Sequence, residues 1–581
     1  MGIAITEYKS TGKFACAHLP MDRDGMIIIN GFPGHTKWDG RTLVVRPTGA
    51  NIDHMLTCWG DAEWDERSAA IRDEYLAKKS AAAAVMEAKR TTLTDKSYPY
   101  KTPPYDHQEH AFILQRDIPS FALLMDMGTG KTKVAIDTAS YLFLQGRITG
   151  VLVFAWPSGV HEVWVDDEFP AHCPVDWSGF IWTGKTTKRA QKEFATMLEG
   201  EGLKVFALNL EAVRAKTAMA WVDNFLKANK TMLIVDESIA IKNPSALGTK
   251  TMTKLGKHPN VPYRRILTGA QVSNSNADVF AQYRFLDPQI IGYDTYTSFK
   301  ARYCVIYTPH NDPRRQIITG YQNIPELIAK IDPYSYRVRK EECLSLPPKV
   351  YRRLPFHLSP HEQQVYDAVR TEYTAELNGQ VLTAELALVR LIRLQQIAGG
   401  WFPGDDGELA MIDQTPSRLK ALLSVLSENK GKKAIIWTRF VSDVQLLVAC
   451  LNRLKPGCAL GYHGSVSREQ RKIARDSFQR DPHTQFLIAQ FQCASRGLTL
   501  TAAEYVIYYA NQYSLDMRVQ SEDRAHRIDE VRMEGRASIP YIDLCAVGTI
   551  DSKIISALRA KKDVADIINN DPPGGFLEYS S

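Results

Sequence analysis

No two cysteines in the chain are spaced C-x-x-C, and the nine cysteines are an odd number scattered through 581 residues. Without close thiol pairs there is neither a zinc module nor a disulfide framework, so the thiols read as reduced, in a cytosol-like compartment. No apolar run approaches the ~20 residues of a membrane span, and Met1-Gly2-Ile3-Ala4-Ile5-Thr6-Glu7 lacks the basic-then-apolar order of a signal peptide. The expected setting is cytoplasmic: nucleoid-associated, or a host cytoplasm if the chain is viral. A strong charge of one sign is also missing, and the net +6 permits a polyanionic partner without requiring one. What is present is ordinary globular composition, 44% hydrophobic and 23% charged. At ~150 residues per domain, the length makes three or four folding units.

The most informative stretch is Leu123-Leu124-Met125-Asp126-Met127-Gly128-Thr129-Gly130-Lys131-Thr132, a short apolar strand, a glycine loop and the start of a helix. Glycines at 128 and 130 let successive backbone N–H groups turn inward with no Cβ in the way. Lys131 adds a mobile cation and the Thr132 hydroxyl can hold Mg²⁺, so the loop is a cradle for a nucleotide triphosphate. Met125 stands where the phosphate-loop pattern has a small residue. Some twenty residues upstream, Gln108 offers a donor and an acceptor side by side, matching the edge of adenine; the alternative is a plain surface glutamine. Downstream, Met232-Leu233-Ile234-Val235 runs into Asp236-Glu237. An Asp at a strand end can hold Mg²⁺, and the next Glu can activate the water that attacks the γ-phosphate. Arg265-Ile266-Leu267-Thr268-Gly269 repeats the strand-to-polar-loop pattern, as if sensing the same phosphate.

Residues 1–65 read as a small α+β domain, with strands at 13–17, 26–29 and 42–45 and a helix after Asn51. Its turn-rich loop sets Lys37 and Arg41 around Trp38, which either stacks on a base or packs on the sheet. Residues 66–98, rich in Ala, Glu, Lys and Arg, form a helical linker closed by prolines. From 99 to 345, apolar runs such as 151–155 and 205–209 alternate with helical stretches. That alternation predicts an α/β unit on a parallel sheet, with ligands at the carboxyl ends of its strands. A second α/β unit, 346–570, has strand runs at 433–440, 458–464, 486–489 and 505–509, and a tail, 571–581, follows. It has no glycine loop with lysine. It does set Arg524 and Arg527 at i and i+3 of one helical face, either to bind a transferring phosphoryl group or to pair with Glu522 and Asp523.

Taken in order, Asp126 to Thr132, Asp236-Glu237-Ser238-Ile239-Ala240-Ile241-Lys242-Asn243, Leu267-Thr268-Gly269, Leu346-Pro347-Pro348-Lys349 and Gln520 to Ile528 resemble the motif set of a superfamily 2 helicase. More narrowly they resemble the Snf2 family of double-stranded DNA translocases, over roughly residues 100 to 565. Gly497-Leu498-Thr499 ahead of Ala502-Ala503 resembles the annealing-helicase branch. The Trp38 loop, with Arg46-Pro47-Thr48 and Ala50-Asn51-Ile52, is similar to the HARP substrate-recognition domain of that branch. Two places depart from the family: its usual histidine is Ile239, and its Thr-Pro is Ala270-Gln271. The family histidine helps couple hydrolysis to DNA, which leaves that task here to Gln271 or Ser238.

The resemblance implies two RecA-like parallel-sheet lobes in tandem, behind the N-terminal α+β domain, that close on ATP and Mg²⁺. Gln108, Gly128, Thr129, Gly130, Lys131, Thr132 and Gly497 would surround the nucleotide, and Thr132 and Asp236 would hold the metal. Lys131, Asp236, Glu237, Gln520, Arg524 and Arg527 would carry the hydrolysis. DNA would be gripped by its phosphates near Ser158, Asn209, Lys242 and Asn243 in lobe 1, and near Thr438, Arg439, His463, Gly464 and Ser465 in lobe 2, with little base preference. Three functions are compatible with this. One is remodelling of branched or forked DNA by branch migration, fork regression or strand annealing. Another is a duplex translocase that displaces proteins such as RNA polymerase. The third is a DNA- or partner-binding protein with a decayed motor, motivated by Met125, Ile239 and Ala270. The expected partners are DNA and replication, recombination or transcription proteins, with no membrane and no zinc.

Overall fold

The computed structural model describes residues 3–10, 13–19, 21–30, 32, 36–91, 93–156, 160–269, 276–308, 317–343, 348–375, 384–403, 408–494, 500–526 and 538–568. The chain divides into two compact units, Met1–Cys343 and Leu344–Ser581.

The first unit opens with a five-stranded sheet of β1 (Ala4–Tyr8), β2 (Lys13–Ala17), β3 (Thr36–Asp39), β4 (Thr42–Val45) and β5 (Glu63–Trp64), in the order β3-β4-β2-β1-β5. Ile5, Phe14, Cys16, Leu43 and Val45 face inward and meet Ile52, Met55 and Trp59 from the helix Gly49–Cys58 and its exit. The run 26–29, expected as a strand, lies instead in the helix Arg23–Asn30. The reason is local. Asp22 accepts from the Gly25 amide through its side chain at 2.7 Å and from the Met26 amide through its carbonyl at 2.9 Å. That cap nucleates a turn which β-branched residues then extend.

The segment after Asp65 is a 23-residue helix, Glu66–Ala88, capped by the Asp65 carboxylate on the Ser68 amide at 2.8 Å. It is not a free spacer, since it lies against the rest of the unit. Lys78 pairs with Asp287 at 2.9 Å and Lys89 with Asp332 at 2.8 Å. Arg46 of the small sheet pairs with Asp294 at 3.0 Å, and Gly292 comes so close to Ala50 that an added Cβ would meet it at 3.1 Å.

Lobe 1 follows. Its strands are β6 (Ser120–Met125), β7 (Gly150–Ala155), β8 (Trp177–Ile181), β9 (Leu203–Asn209), β10 (Thr231–Asp236) and β11 (Tyr263–Thr268). The hairpin β12 (Cys304–Tyr307) and β13 (Ile317–Tyr321) precedes β14 (Ser335–Val338). The seven-stranded sheet runs β14-β6-β11-β10-β7-β9-β8, and every pairing is parallel. Strands β6, β7 and β10 are buried along their whole length because helices cover both faces. The register sets Asp236 opposite Leu267 and Thr268 opposite Leu124, so the carboxyl ends of β6, β11 and β10 lie side by side.

Lobe 2 repeats the plan. After β15 (Lys349–Phe356) and the small hairpin β16 (Trp401–Pro403) and β17 (Leu409–Met411) come β18 (Ala434–Thr438), β19 (Ala459–Tyr462), β20 (Phe486–Gln490), β21 (Tyr505–Tyr508) and β22 (Ile539–Ala546). The sheet order is β15-β22-β21-β18-β20-β19, again parallel throughout. The two RecA-like parallel-sheet lobes expected from the sequence are both present.

Candidate nucleotide site and nucleic-acid rim

Strand β6 ends at Met125, and a five-residue loop carries the chain into the helix Lys131–Leu144. Gly128 at φ +82° and Gly130 at φ +85° take the left-handed conformation that only glycine adopts without strain. The loop is fastened from three sides. Thr129 turns its hydroxyl back to the Asp126 carbonyl at 2.7 Å, and the Asp126 amide donates to Val338 of β14 at 3.1 Å. The Asp126 carboxylate accepts from the Lys340 amide at 2.9 Å. The Thr129 carbonyl receives His107 Nε2 at 2.8 Å and Gln108 Nε2 at 3.0 Å.

Gln108, expected to read adenine, is buried, and both ends of its amide are engaged in this structure. Its Oε1 accepts from the Tyr105 amide at 3.1 Å, closing the cap of the helix Asp106–Gln115. It acts here as a wedge under the phosphate loop, with Nε2 only 2.1 Å from where a Gly130 Cβ would stand.

Lys131 heads its helix, where the aligned peptide dipoles favour anions, and its Nζ lies 3.9 Å from Glu237 Oε1. Thr132 follows it, half-buried, in the first turn. Asp236 ends β10. Its Oδ2 accepts from Trp164 Nε1 at 2.9 Å and its Oδ1 from the Glu237 amide at 3.0 Å. Burial pushes the Asp236 carboxyl above the usual range, opposed by Lys131, by Trp164 and by the Glu237 amide. Glu237 sits at φ +55°, a left-handed conformation that costs a non-glycine residue about 1–2 kcal/mol and is kept only where packing enforces it. In that conformation its Oε1 faces Lys131 Nζ.

These residues fit a magnesium nucleotide. A buried carboxylate raised above its usual range is a group that a cation would stabilise, and Thr132 adds a half-buried hydroxyl in the first turn after the loop. One carboxylate and one hydroxyl are too few ligands by themselves, so Mg²⁺ would arrive with the phosphates. Among the described residues no group of three or more His, Cys, Asp or Glu is placed to hold a metal ion.

Of the run expected to sense the phosphate from a neighbouring strand, the polar end Thr268-Gly269 lies beside the loop, an added Gly269 Cβ standing 3.5 Å from the Met127 amide. Arg265, toward the other end of β11, is fully buried and donates to the carbonyls of Gln115 at 2.7 Å and Ile118 at 2.8 Å, stapling the sheet. Trp164, which no spacing or motif had marked, orients Asp236. Of the residues assigned to nucleic acid, Asn209 closes β9, while Lys242 and the exposed Asn243 follow the acidic pair. Lys37, Trp38 and Arg41 are exposed at the β3–β4 turn, with Trp38 38% accessible. Ser158 lies outside the described residues, as do Gln271, Gly497 and Arg527.

In lobe 2, Thr438 and Arg439 end β18, Gln490 ends β20, and His463-Gly464-Ser465 follow β19, at the carboxyl ends of three adjacent strands. Thr438 is buried and donates to Asp443 Oδ2 at 2.5 Å. Arg439 donates to Gln395 at 3.0 Å, and the Gly464 amide reaches Gln490 at 3.4 Å. His463 is buried, with its imidazole held below the usual range by that burial, while Gly464 and Ser465 are exposed.

The helix Leu515–Ala525 carries Arg524 and ends at its cap His526, φ −99°, ψ 69°; Arg527, the other half of the expected pair, lies outside the described residues. Gln520 is buried, and so is Arg524, whose Nε donates to the Gln520 carbonyl at 3.0 Å. Glu522 and Asp523 pair with Lys349 at 3.2 and 3.1 Å.

A phosphate-type loop at the head of a helix, an acid pair two strands away and a second parallel-sheet lobe define a two-lobed helicase-type ATPase class. The SNF2-related domain matches residues 105–398 and the helicase conserved C-terminal domain residues 417–529, and the chain belongs to the SNF2-related family of ATP-dependent helicases and translocases. It is similar to the DNA annealing helicase and endonuclease ZRANB3 of Mus musculus, 27% identical over 470 residues, covering 79% of this chain and 40% of that protein. It is also similar to the putative ATP-dependent helicase/translocase YwqA of Bacillus subtilis, 24% identical over 457 residues, covering 76% of this chain and 46% of that protein. The chain thus spans less than half the length of either relative. A solved Sulfolobus solfataricus SWI2/SNF2 ATPase core in complex with dsDNA matches at 22% identity and a TM-score of 0.36, covering 82% of this chain and 95% of that one.

Proposed function

We propose that this protein is an ATP-driven double-stranded DNA motor that remodels branched or forked DNA, by branch migration, fork regression or strand annealing. The observation that carries the reading is Lys131 facing Glu237 across 3.9 Å, beside the glycine loop. In this reading the loop amides and Lys131 would bind the phosphates of ATP, and Asp236 with Thr132 would hold Mg²⁺, which would supply positive charge to the phosphates. Glu237 takes the proton of the attacking water. The resemblance assigns Gln520, Arg524 and Arg527 to the same hydrolysis and Gly497 to the nucleotide. Lys242, Asn243, Asn209 and Ser158 on one lobe, and Arg439, Gly464 and Ser465 with Thr438 and His463 on the other, would hold DNA phosphates.

The choice of branched DNA is supported by the small N-terminal sheet, with its exposed Trp38 between cations, and by the annealing helicase among the relatives. A second reading, a duplex translocase that displaces proteins, is supported by the helicase/translocase relative. One assay separates them: ATP turnover with no DNA, single strand, duplex and a four-way junction. The first reading expects the junction to stimulate most, and the second expects duplex alone to suffice. Equal turnover in all four would defeat the DNA-motor proposal. Glu237→Gln should lower turnover by about 10²- to 10⁴-fold, and full activity would remove its role as base.

A further inference from the structure

Directly after the acid pair the chain makes a single 3-10 turn, Ser238–Ile241, and leaves it at Lys242. Both ends of that turn are pinned to one strut, formed by the 3-10 segment Asn276–Asp278 running into the helix Val279–Leu286. At the entrance, Ser238 Oγ donates to Gln282 Oε1 at 2.7 Å, both residues being fully buried. At the exit, Lys242 Nζ lies 3.9 Å from Asp278 Oδ2. Gln282 Nε2 donates back to the Asp278 carbonyl at 3.1 Å, so the two anchoring points are themselves joined across one helical turn. The strut is held in turn by Val279, Phe280, Tyr283, Phe285 and Leu286, all buried.

The turn begins on the left-handed Glu237, whose carboxylate lies near Lys131, and ends beside Asn243 on the nucleic-acid rim. Ile239, where the family has a histidine, is an apolar buried side chain that makes no polar link. A displacement of Glu237 strains the bond that Ser238 makes to Gln282 inside the fold, where a buried polar link is costly to break. The turn and the strut are coupled through it, and the coupled pair meets again at Lys242.

We infer that Gln282 is a positioning residue that conveys the state of the nucleotide site to Lys242 and Asn243, a task the resemblance assigns to the absent histidine. The inference rests on the motor reading above, and the test keeps the two apart. The full-length chain is assayed for ATP turnover with and without duplex DNA. Duplex affinity is also measured in ADP and in a non-hydrolysable ATP analogue.

For Gln282→Leu combined with Ser238→Ala, which removes both partners at once, the ratio of stimulated to unstimulated turnover should fall about tenfold, within the range of site-to-site couplings. The difference in duplex affinity between the two nucleotides should shrink as well, because the same link couples the two sites. Gln282→Glu keeps an oxygen for Ser238 but loses the donor to the Asp278 carbonyl, so it should restore only part of the ratio. Should the double variant not fold, Ser238→Ala alone removes one hydroxyl and should show the same loss of ratio. A wild-type ratio well above one that the variants retain, even if both rates fall together, would overturn the role of Gln282 and leave the motor reading standing. A wild-type ratio of one would remove the motor reading, and this inference with it.

Discussion

Replacing Gly130 with alanine tests the phosphate loop where its geometry is tightest. Two effects add. An alanine at φ +85° bears about 1–2 kcal/mol of left-handed strain. Its Cβ would stand 2.1 Å from Gln108 Nε2 and 3.0 Å from Cδ, so the buried amide must leave the Thr129 carbonyl. That leaves a buried donor unsatisfied, at about 1–3 kcal/mol. The sum, about 2–5 kcal/mol, acts on the fraction of molecules holding the binding-competent loop. At 1.4 kcal/mol per tenfold, it weakens ATP affinity by roughly thirty- to three-thousand-fold. Titration with a fluorescent ATP analogue measures this, with Gly146→Ala as control. Gly146 has φ +65° with nothing within 4 Å of its added Cβ, so it carries the backbone strain without the collision and should bind the analogue like wild type. Adding Gln108→Ala to Gly130→Ala removes the struck atom and should recover about tenfold, measured against Gln108→Ala alone. If Gly130→Ala binds as tightly as wild type, or if the second substitution recovers nothing, the wedge account of Gln108 is wrong.

Trp164→Phe removes the indole donor to Asp236 Oδ2, and with it stabilisation of the ionised form. Because the lost bond favoured the carboxylate, the Asp236 pKa rises further, and the acidic limb of the pH–turnover profile should move up by about one unit; a limb that stays put would separate Trp164 from the chemistry. In lobe 2, Arg518 is fully buried, bonded to Asp543 at 3.0 Å, Glu522 at 2.8 Å and Asn511 at 2.7 Å, and lies 3.4 Å over the Tyr508 ring. Arg518→Met takes the guanidinium from two buried carboxylates, leaving Glu522 to Lys349 and Tyr351 and Asp543 to Asn511, and should cost about 3–5 kcal/mol in urea unfolding, whereas Arg67→Met, on the surface, should leave the midpoint unchanged. Alanine at Lys37, Trp38 and Arg41 together should lower the preference for a four-way junction over duplex without lowering duplex-stimulated turnover. An unchanged preference would take substrate recognition away from the N-terminal sheet.

The buried parallel strands were the most legible part of the fold. Runs such as 232–235 and 486–489 have no polar face, and helices on both sides of a sheet require that. Strand β22 was not legible because Pro540 and Asp543 interrupt it; it is central all the same, since Arg518 and Asn511 satisfy the acid. The helix Arg23–Asn30 read as a strand because its apolar run outweighed a single capping aspartate. At the site, the glycine loop, Lys131 and the acid pair were readable from spacing, since their chemistry depends on chain-local order. Trp164 and Gln282 were not, because each reaches its partner from a distant segment that only the folded sheet brings near.

The ion pairs from Arg46, Lys78 and Lys89 bear on how force would be delivered. Because they join the small N-terminal sheet and its long helix to the phosphate-loop lobe, the sheet travels with that lobe. Under the proposed motor function, a junction held by the sheet would be carried along with each displacement, and softening those three contacts would let part of the pull slip.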